Sequence, residues 1–557
     1  MHSVAAVLAL LALAAAPART AERPRLVVVV SVDQLARHRL SAALPGGLGR
    51  LLREGRVFAD AALEHGITET CPGHATMLTG VNPGPAGIPG NLLFDGGKTV
   101  YCAGERVDPG ADVGAAFART GVLGIPEPRS AAELGEALRS PSFLSVKALG
   151  DLLRPGGKVF TLSGKDRAAI MMGGQHPTLA VWLDARAGFT SSRYYTKKLP
   201  AWLEAFDRDR GLAPYVAERI PAEWRHGAED RAALPDESRF ESSAFGRTSP
   251  HRIRGATLAE THPRLMRTPF ADALTLDLAR VIVERESLGK GPGTDLLAVS
   301  LSATDYIGHA YGPDSQEAVH ALRELDRQLE AFLGFLQARV GRGALLVVLT
   351  ADHGVAPIPE VAIDLGLSEC RVPGGRASGE RWKELVGDAA AKACGSADAP
   401  AVAWDGNHSF KLDPAWLSRC RSKGEALAAI ASRLAAQPGV VHVWTAAEME
   451  GDAGECVGYC RFFRNSWGGE RSGDLVVQLD PTCQLTPSDP EHKSPYVTGH
   501  GTPYAYDRAV PLVFWGGGVA PGVVRGQART IDIAPTLARR LGLPAQPEWN
   551  GRALPLE

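Results

Sequence analysis

The sequence LVVVVSV at positions 26–32 shows no alternation of polar and apolar side chains. Such a continuous run of mostly β-branched residues is typical of a strand buried on both faces, as in a parallel sheet. Similar runs recur at 158–162, 296–301, 344–350, 475–479 and 510–515. Between several of them, apolar residues spaced by three and four predict helices, a long one over 315–340 and a shorter one over 531–541. This alternation predicts an α/β fold with a doubly wound, mostly parallel sheet flanked by helices.

Two stretches, at about 185–265 and 365–470, interrupt this alternation. They are rich in Arg, Glu, Gly, Pro and Trp, and most cysteines fall in the second. We interpret them as insertions covering the end of the sheet at which such folds bind ligands, beyond the carboxyl ends of the strands. The length of 557 residues would suit three or four domains. Because the candidate site residues described below are spread from 33 to 500, we instead expect 19–557 to be a single catalytic domain.

The charge balance excludes one class of partner. The chain has 60 Lys and Arg residues against 62 Asp and Glu residues, a net charge of −2 with histidine neutral. Nucleic acids and acidic membrane surfaces both require concentrated positive charge, so we expect no nucleic-acid partner. Beyond the N-terminal segment no apolar run reaches about 18 residues, which predicts no membrane span. We expect a monomer that acts on small molecules.

The N-terminal segment has the features of a cleavable signal peptide. Residues 4–16 are apolar and uncharged, and Ala16-Pro17-Ala18 supplies the small-x-small cleavage pattern. A buried N-terminal helix is the alternative interpretation. We expect residues 1–18 to be removed and the mature protein to be periplasmic or secreted. In that compartment the eight cysteines permit up to four disulfides.

Aspartate and histidine residues occur at four separate strand ends. A lone aspartate at a strand end more often forms part of a turn or caps a helix. Aspartate or histidine at all four strand ends is hard to explain by structural roles alone. Carboxylates and imidazoles are ligands that suit zinc. Six ligands divide into two sets of three, each with open positions, as in a two-metal hydrolase. The candidate ligands are Asp33, Asp305, His309, Asp352, His353 and His500.

The segment TETCPGHATMLTG at 68–80 supplies a candidate nucleophile. Pro72 suits the first turn of a helix, which leaves Thr70 beside the helix N-terminus. Exposed N–H groups and the helix dipole there favour an alkoxide or a phosphate oxygen. The alternative is that Thr70 is only an N-cap. Cys71 is a competing nucleophile, but in an oxidising compartment we expect it in a disulfide, with Cys102 as one candidate partner.

These motifs resemble the alkaline phosphatase superfamily, in particular the PafA-type alkaline phosphatases, which are related to nucleotide pyrophosphatase/phosphodiesterases. The resemblance runs in family order over nearly the whole mature chain and implies that Thr70 attacks phosphorus and forms a phosphothreonine. It implies phosphate contacts from Asn91. It further implies two Zn²⁺ ions, one held by Asp305, His309 and His500, the other by Asp33, Asp352, His353 and the Thr70 oxygen.

The segment SGKDR at 163–167 bears on the substrate class. Lys165 and Arg167 resemble the Lys-x-Arg pair of PafA-type monoesterases, which similar diesterases lack. A monoester dianion has one more negative charge than a diester, so two cations near its free oxygens favour it. The sulfatase pattern is not matched, because His74 stands two residues after Pro72. We interpret His74 as a packing or supporting residue.

The sequence therefore predicts a zinc-dependent phosphomonoesterase that acts on small phosphate monoesters. Two alternatives remain open. One is a phosphodiesterase or nucleotide pyrophosphatase on the same two-metal scaffold. The other is a non-catalytic protein that binds zinc or phosphate.

Overall fold

The computed structural model describes residues 23–557 apart from 107–111, 154–155, 228–233, 452–455 and 487–493. The predicted signal peptide at 1–18 lies outside the described residues. Among the residues that are described, no helix combines the length and the apolar character that crossing a bilayer requires.

Nine strands form the main sheet of the described chain, and the five in its middle run parallel. The strand Leu512–Gly516 pairs antiparallel with both of its neighbours, and Gly188–Thr190 pairs antiparallel at one edge. The predicted doubly wound, mostly parallel sheet is confirmed. In spatial order the strands are Gly522–Arg529, Arg56–Ala62, Leu512–Gly516, Leu345–Thr350, Leu26–Val32, Asp295–Leu301, Val159–Ser163, Leu179–Asp184 and Gly188–Thr190.

The strand Leu26–Val32 lies at the centre of this sheet, and all seven of its residues are buried. Val28 and Val30 belong to the apolar core on one face, whereas Val27 and Val29 belong to the core on the other. Because both faces are covered by helices, no position on the strand favours a polar side chain. This burial explains the unbroken apolar run in the sequence.

Helices cover both faces of the sheet. The long predicted helix is observed as Gln316–Val340, and the Ser315 hydroxyl caps it by accepting the N–H of Ala318 at 3.1 Å. The other main helices are Gly47–Glu54, Thr70–Thr79, Pro83–Ala86, Val113–Thr120, Ala131–Ala137, Leu149–Leu153, Asp166–Gly173, Ala201–Arg210, Leu258–Leu265, Pro269–Arg285, Ala303–Tyr311, Pro359–Asp364, Ala505–Arg508 and Ile533–Arg540. Two short antiparallel pairs lie outside the sheet, Leu92–Asp95 with Lys98–Tyr101 and Glu223–Trp224 with His251–Arg252.

The run at 475–479 forms a strand, as predicted, but not in the main sheet. Leu475–Leu479 pairs antiparallel with Ser409–Leu412 and Val440–Thr445 in a four-stranded sheet completed by Val402–Trp404. Helices Gly379–Cys394 and Lys423–Ala435 pack on it around a separate apolar core. A strand buried on both faces has the same local pattern in either sheet, so the sequence could not assign its partners. We call residues 370–486 the second lobe.

All eight cysteines are paired. The Cys71–Cys102 disulfide lies beside the Thr70–Thr79 helix, in agreement with the expected pairing, and it removes Cys71 as a competing nucleophile. The Cys370–Cys483 disulfide joins the start of the second lobe to its end. The remaining two, Cys394–Cys420 and Cys456–Cys460, also lie in the second lobe.

Asp207 is expected to make the stability of this fold depend on pH. Its Oδ1 accepts the N–H of Phe189 at 3.0 Å beside the edge strand Gly188–Thr190. Burial raises the pKa of Asp207 to about 7, above the value of about 3.9 for an exposed aspartate. Between these values the folded protein holds a proton that the unfolded chain has lost. This contribution to stability is therefore fully present below about pH 4 and is lost as the pH rises through 7.

The Asp207→Asn variant keeps a hydrogen-bond acceptor and removes this ionisation. We expect its thermal midpoint to exceed that of the wild type at pH 8 and to match it near pH 4. The control is Asp209→Asn, on the same helix, whose carboxylate only pairs with the exposed Arg208. An equal change in midpoint at both pH values would contradict the raised pKa of Asp207.

Candidate active site at the carboxyl ends of the strands

Thr70 is the first residue of the helix Thr70–Thr79 and is almost fully buried. Its Oγ1 lies 3.5 Å from Nη2 of Arg167, which lies in the first turn of the helix Asp166–Gly173, after the strand Val159–Ser163. The next N–H of the helix, that of Cys71, donates to Oδ1 of Asn91 at 2.9 Å. The structure thus brings together three of the predicted residues, with the Thr70 hydroxyl at the positive end of a helix.

Asn91 is held in place from both sides. Its backbone N–H donates to Oε2 of Glu69 at 2.6 Å, and its carbonyl accepts the N–H of Cys102 at 3.0 Å. Cys102 is bonded to Cys71, the residue after Thr70. The disulfide therefore ties the loop of Asn91 to the start of the Thr70 helix.

The first predicted ligand set converges on Asp305, in the first turn of the helix Ala303–Tyr311. Nε2 of His309 lies 3.1 Å from Asp305 Oδ1, and Nε2 of His500 lies 3.7 Å from the same oxygen. The Nδ1 atoms of the two rings contact backbone carbonyls, His309 that of Thr498 at 2.7 Å and His500 that of Thr68 at 2.8 Å. An imidazole held in this way through Nδ1 presents Nε2 to a metal.

The second predicted set lies at the ends of the strands Leu26–Val32 and Leu345–Thr350. Nε2 of His353 lies 3.5 Å from Asp33 Oδ1 and 3.3 Å from Asp352 Oδ2. The carboxylate oxygens Asp33 Oδ1 and Asp352 Oδ2 are buried and make no hydrogen bond, and the same holds for His353 Nε2. Asp33, Asp305 and His353 offer donor atoms within 4.8 Å of one another, so Asp305 lies between the two sets. Buried oxygen and nitrogen atoms that make no hydrogen bond are what a metal site requires, so each of these groups could hold a cation.

Lys165 lies between the two sets and not out in the cavity. Its Nζ is 2.6 Å from Asp305 Oδ2 and 2.7 Å from Asp33 Oδ2. Burial alone would lower the pKa of Lys165, but these two carboxylates raise it above its usual value. One ammonium faces the three carboxylates of Asp33, Asp305 and Asp352, so the site has excess negative charge that dications would neutralise.

The protonation of the candidate ligands follows from burial and from this crowding of charge. Burial, followed by the charge of Asp352, raises the pKa of Asp33 well above its usual value. Burial also acts on Asp305, but His309 and Lys165 outweigh it and hold the Asp305 pKa well below the usual range. The pKa values of His353 and His500 are lowered, first by burial. Neutral imidazoles are the form that binds metal.

Two supporting residues orient these ligands. Gln34, at a positive φ of 67°, donates its backbone N–H to Asp352 Oδ1 at 3.1 Å and its side-chain amide to Asp305 Oδ1 at 2.9 Å. In the sequence only its position directly after Asp33 marks Gln34. His74 has Nδ1 2.9 Å from the carbonyl oxygen of Thr70 and 3.2 Å from Asp352 Oδ2. It therefore links the Thr70 helix to a candidate ligand.

The second lobe closes one side of the site. Asn407 donates its amide to Glu69 Oε1 at 2.8 Å and to the carbonyl of His500 at 3.2 Å. Burial raises the pKa of Glu69, and burial followed by the charge of Glu69 raises the pKa of Asp405 to about 7. Nothing in the sequence marked Asn407, because its contact with Glu69 crosses 338 positions.

A cavity of about 640 Å³ opens over Thr70. Its floor includes Asn91, Arg167 and Asp305, and its walls come from the second lobe and the segment around Tyr496. The volume suits a small organic molecule. The predicted nucleophile, phosphate-contact residues and metal ligands therefore lie in or directly beneath one cavity.

Comparison with known proteins agrees with this geometry. The model of the type I phosphodiesterase/nucleotide pyrophosphatase family matches residues 27–501. The chain belongs to this family. Alkaline phosphatase PhoK from a Sphingomonas species is 32% identical over 562 residues, covering 96% of this chain and 91% of that protein. Alkaline phosphatase PafA from Elizabethkingia meningoseptica is 30% identical over 536 residues, covering 93% and 92% respectively.

Solved structures place the whole chain in the same fold. The crystal structure of wild-type alkaline phosphatase PafA matches with a TM-score of 0.81 and 27% identity, covering 96% of this chain and 98% of that one. Murine ectonucleotide pyrophosphatase/phosphodiesterase 5 matches with a TM-score of 0.51 at 14% identity, which shows a likeness of fold alone. The chain is an enzyme of the alkaline phosphatase type, as the motifs predicted, and the non-catalytic alternative is set aside.

Proposed function

We propose that this enzyme is an exported, two-zinc phosphomonoesterase that forms a covalent phosphothreonine on Thr70. The observation that carries the proposal is the position of the Thr70 hydroxyl. It lies at a helix N-terminus, 3.5 Å from the Arg167 guanidinium, at the base of a cavity that also contains the predicted metal ligands. A nucleophile, a cation for phosphate oxygens and two sets of metal ligands meet at this point.

Two zinc ions, when bound, would supply the Lewis acidity that makes an alcohol and a water nucleophilic near neutral pH and that stabilises the leaving oxygen. Two imidazoles and one carboxylate on one side, and one imidazole and two carboxylates on the other, are donor sets suited to zinc. The residues that would hold them are Asp305, His309 and His500 in one set, and Asp33, Asp352 and His353 in the other, with Thr70 Oγ1 completing the second.

Thr70 performs the bond exchange. Its Oγ1 attacks phosphorus in line with the ester bond, the hydroxyl proton passes to solvent, and the alcohol departs after taking up a proton. Water then attacks the phosphorus of the phosphothreonine, which releases inorganic phosphate and restores the Thr70 hydroxyl. The net reaction converts a phosphate monoester and water into an alcohol and phosphate.

Arg167 and Asn91 orient the transferred phosphoryl group. Arg167 lines the cavity and its Nη2 lies 3.5 Å from Thr70 Oγ1, so the guanidinium can donate to a phosphate oxygen beside Thr70. A planar guanidinium can hold two oxygens at once, whereas the Lys165 ammonium acts as a point charge. Lys165 lies where the two ligand sets meet, so its charge acts on the same phosphate.

A diesterase on the same scaffold is the second candidate, because the family model is named for phosphodiesterases and nucleotide pyrophosphatases. The two activities differ in the charge of the substrate. A monoester dianion has one more charge to neutralise, so the cations of Lys165 and Arg167 support the monoesterase. The disulfides support an oxidising compartment and hence export. Because one chain supplies every candidate ligand, we propose that the monomer is active.

The variants Lys165→Ala and Arg167→Ala test the substrate class. We expect each to lower kcat/KM for p-nitrophenyl phosphate by about 10²- to 10³-fold. Each variant removes a cation that stabilises the negative charge developing on the phosphoryl oxygens in the transition state. For bis-p-nitrophenyl phosphate we expect a loss of less than about tenfold, since a diester has no second free charge. The wild type should prefer the monoester.

Lys158→Ala is the matched control. Lys158 directly precedes the strand Val159–Ser163, whereas Lys165 follows it, and the exposed ammonium of Lys158 pairs with Glu286. It should leave both rates unchanged. Equal losses on the two esters in the Lys165 and Arg167 variants, together with a wild-type preference for the diester, would establish the diesterase instead.

A further inference from the structure

A second cluster of metal-binding side chains lies away from the cavity. It joins the short pair Glu223–Trp224 and His251–Arg252 to the start of the helix Gln316–Val340. His226, Asp236, His251 and Glu317 each offer one donor atom, and these atoms lie within 4.8 Å of one another. No residue of this cluster takes part in the proposed reaction. The four come from positions so far apart that no sequence motif marks them.

The donor spacing fits a single tetrahedral ion. Glu317 Oε1 lies 3.2 Å from His226 Nε2 and 2.8 Å from His251 Nε2, and His226 Nε2 lies 3.3 Å from Asp236 Oδ1. Bonds of about 2.0 to 2.1 Å to zinc place adjacent donors of a tetrahedron about 3.3 Å apart. Three side chains at this spacing, two imidazoles and a carboxylate, form a zinc ligand set, and Asp236 could provide the fourth ligand.

The burial of this cluster and its oxygens without hydrogen-bond partners indicate that hydrogen bonds alone do not satisfy its side chains. The side chains of Glu317, His226 and His251 are 0%, 3% and 4% exposed. Glu317 Oε2 is buried and has no hydrogen-bond partner, and the same holds for Oε2 of the neighbouring Glu241. Glu317 is therefore a buried carboxylate with one oxygen left without a hydrogen-bond partner, a group that a dication would neutralise.

The surroundings also orient the ligands and leave a route for the ion. Nδ1 of His251 lies 3.3 Å from the hydroxyl of Tyr311, so a proton on Nδ1 can be shared with that oxygen while Nε2 stays free. The centroid of the Trp224 ring lies 5.8 Å from that of His226, in an edge-on contact, and 5.4 Å from that of His251, in a tilted one. The Asp236 side chain is 37% exposed, so the cluster opens to solvent on the side of Asp236.

We propose that His226, His251, Glu317 and Asp236 form a structural zinc site, separate from the active site. The ion would fasten the strand pair Glu223–Trp224 and His251–Arg252 to the helix Gln316–Val340. Tyr311 ends the helix that begins with the Asp305 turn, so the site also supports the element carrying two candidate active-site ligands. The expected role is stability, because no atom of the cluster lines the active-site cavity.

Zinc content tests this site directly. The wild type and Glu317→Gln would be equilibrated with zinc, freed of loosely bound metal and analysed for zinc per chain. We expect Glu317→Gln to hold about one equivalent less and to unfold at a lower temperature, with kcat on p-nitrophenyl phosphate within about threefold of the wild type. The control is His442→Asn, which breaks a surface His–Glu pair of 2.9 Å that belongs to no such cluster.

The zinc that Glu317→Gln fails to bind belongs to this cluster alone, so the difference in zinc per chain does not depend on how much metal the active site holds. Anomalous scattering at the zinc edge from wild-type crystals provides a second readout that needs no variant, and a peak within bonding distance of His251 Nε2 and Glu317 Oε1 is expected. An equal zinc content in the two proteins, or no anomalous peak at the cluster, would mean that Glu317 is simply hydrogen-bonded by two histidines.

Discussion

Replacing Thr70 with alanine is expected to lower kcat for p-nitrophenyl phosphate by at least about 10³-fold, the scale of loss seen when a covalent nucleophile is removed. At this helix N-terminus no other hydroxyl or thiol takes its place, because Cys71 is in a disulfide and Pro72 and Gly73 follow it. Metal content should be unchanged, since all six predicted ligand side chains remain. A rapid acid quench during turnover of labelled substrate should trap a phosphoprotein in the wild type and none in Thr70→Ala.

The matched control for this prediction is Thr76→Ala in the same helix. The Thr76 hydroxyl is buried but donates only to the carbonyl of Gly73 at 2.8 Å. Its removal should cost some stability and leave kcat within a few-fold of the wild type. Near-normal turnover by Thr70→Ala, or label trapped on that variant, would refute the assignment of Thr70 as the nucleophile.

Removal of bound metal is the second change with a large expected effect. Chelation should lower kcat by at least about 10³-fold, because metal ions contribute several kcal/mol of transition-state stabilisation in such sites. It should also lower the thermal midpoint, since the carboxylates of Asp33, Asp305 and Asp352 then face the single ammonium of Lys165. Zinc should restore activity once two equivalents have bound to the active site.

The Asp352→Asn variant makes this prediction specific. It removes one charge from the second ligand set while preserving size, so zinc affinity and kcat should both fall even without chelator. Titrating zinc into metal-free Glu317→Gln isolates the active site from the second cluster, and activity should rise until two equivalents are bound. Full activity in the presence of excess chelator, after dialysis, would exclude metal chemistry at this site.

The sequence predicted the centre of the fold well and its edges poorly. The strand Leu26–Val32 has the predicted bounds, because burial on both faces leaves an unbroken apolar run. The strand Arg56–Ala62 was not predicted, since RVFADAA is partly exposed and carries charges. Gly522–Arg529 was missed for the same reason. The run at 475–479 was identified as a strand, but its sheet depends on partners that no local pattern specifies.

The candidate site shows the same division between local and long-range information. Asp305 and His309 lie four residues apart on one helix, a spacing that lets both side chains reach one metal ion from the same helical face. The pairing of Lys165 with Asp33 and Asp305 could not be predicted, because it joins three strand ends. His226 and His251 lie in a stretch without any recognisable pattern, and only the fold brings them next to Glu317 of the helix Gln316–Val340.

The position of Leu26–Val32 at the centre of the sheet has a consequence for how the chain is made. Its two neighbours, Asp295–Leu301 and Leu345–Thr350, are synthesised long after it. At about 5 to 20 residues per second, the first strand waits roughly 15 to 60 seconds for both partners. During that time a valine-rich segment with unpaired backbone is open to aggregation. Fragments that end before residue 295 should therefore fail to fold, and the nascent chain should depend on holding factors until the middle of the sheet can close.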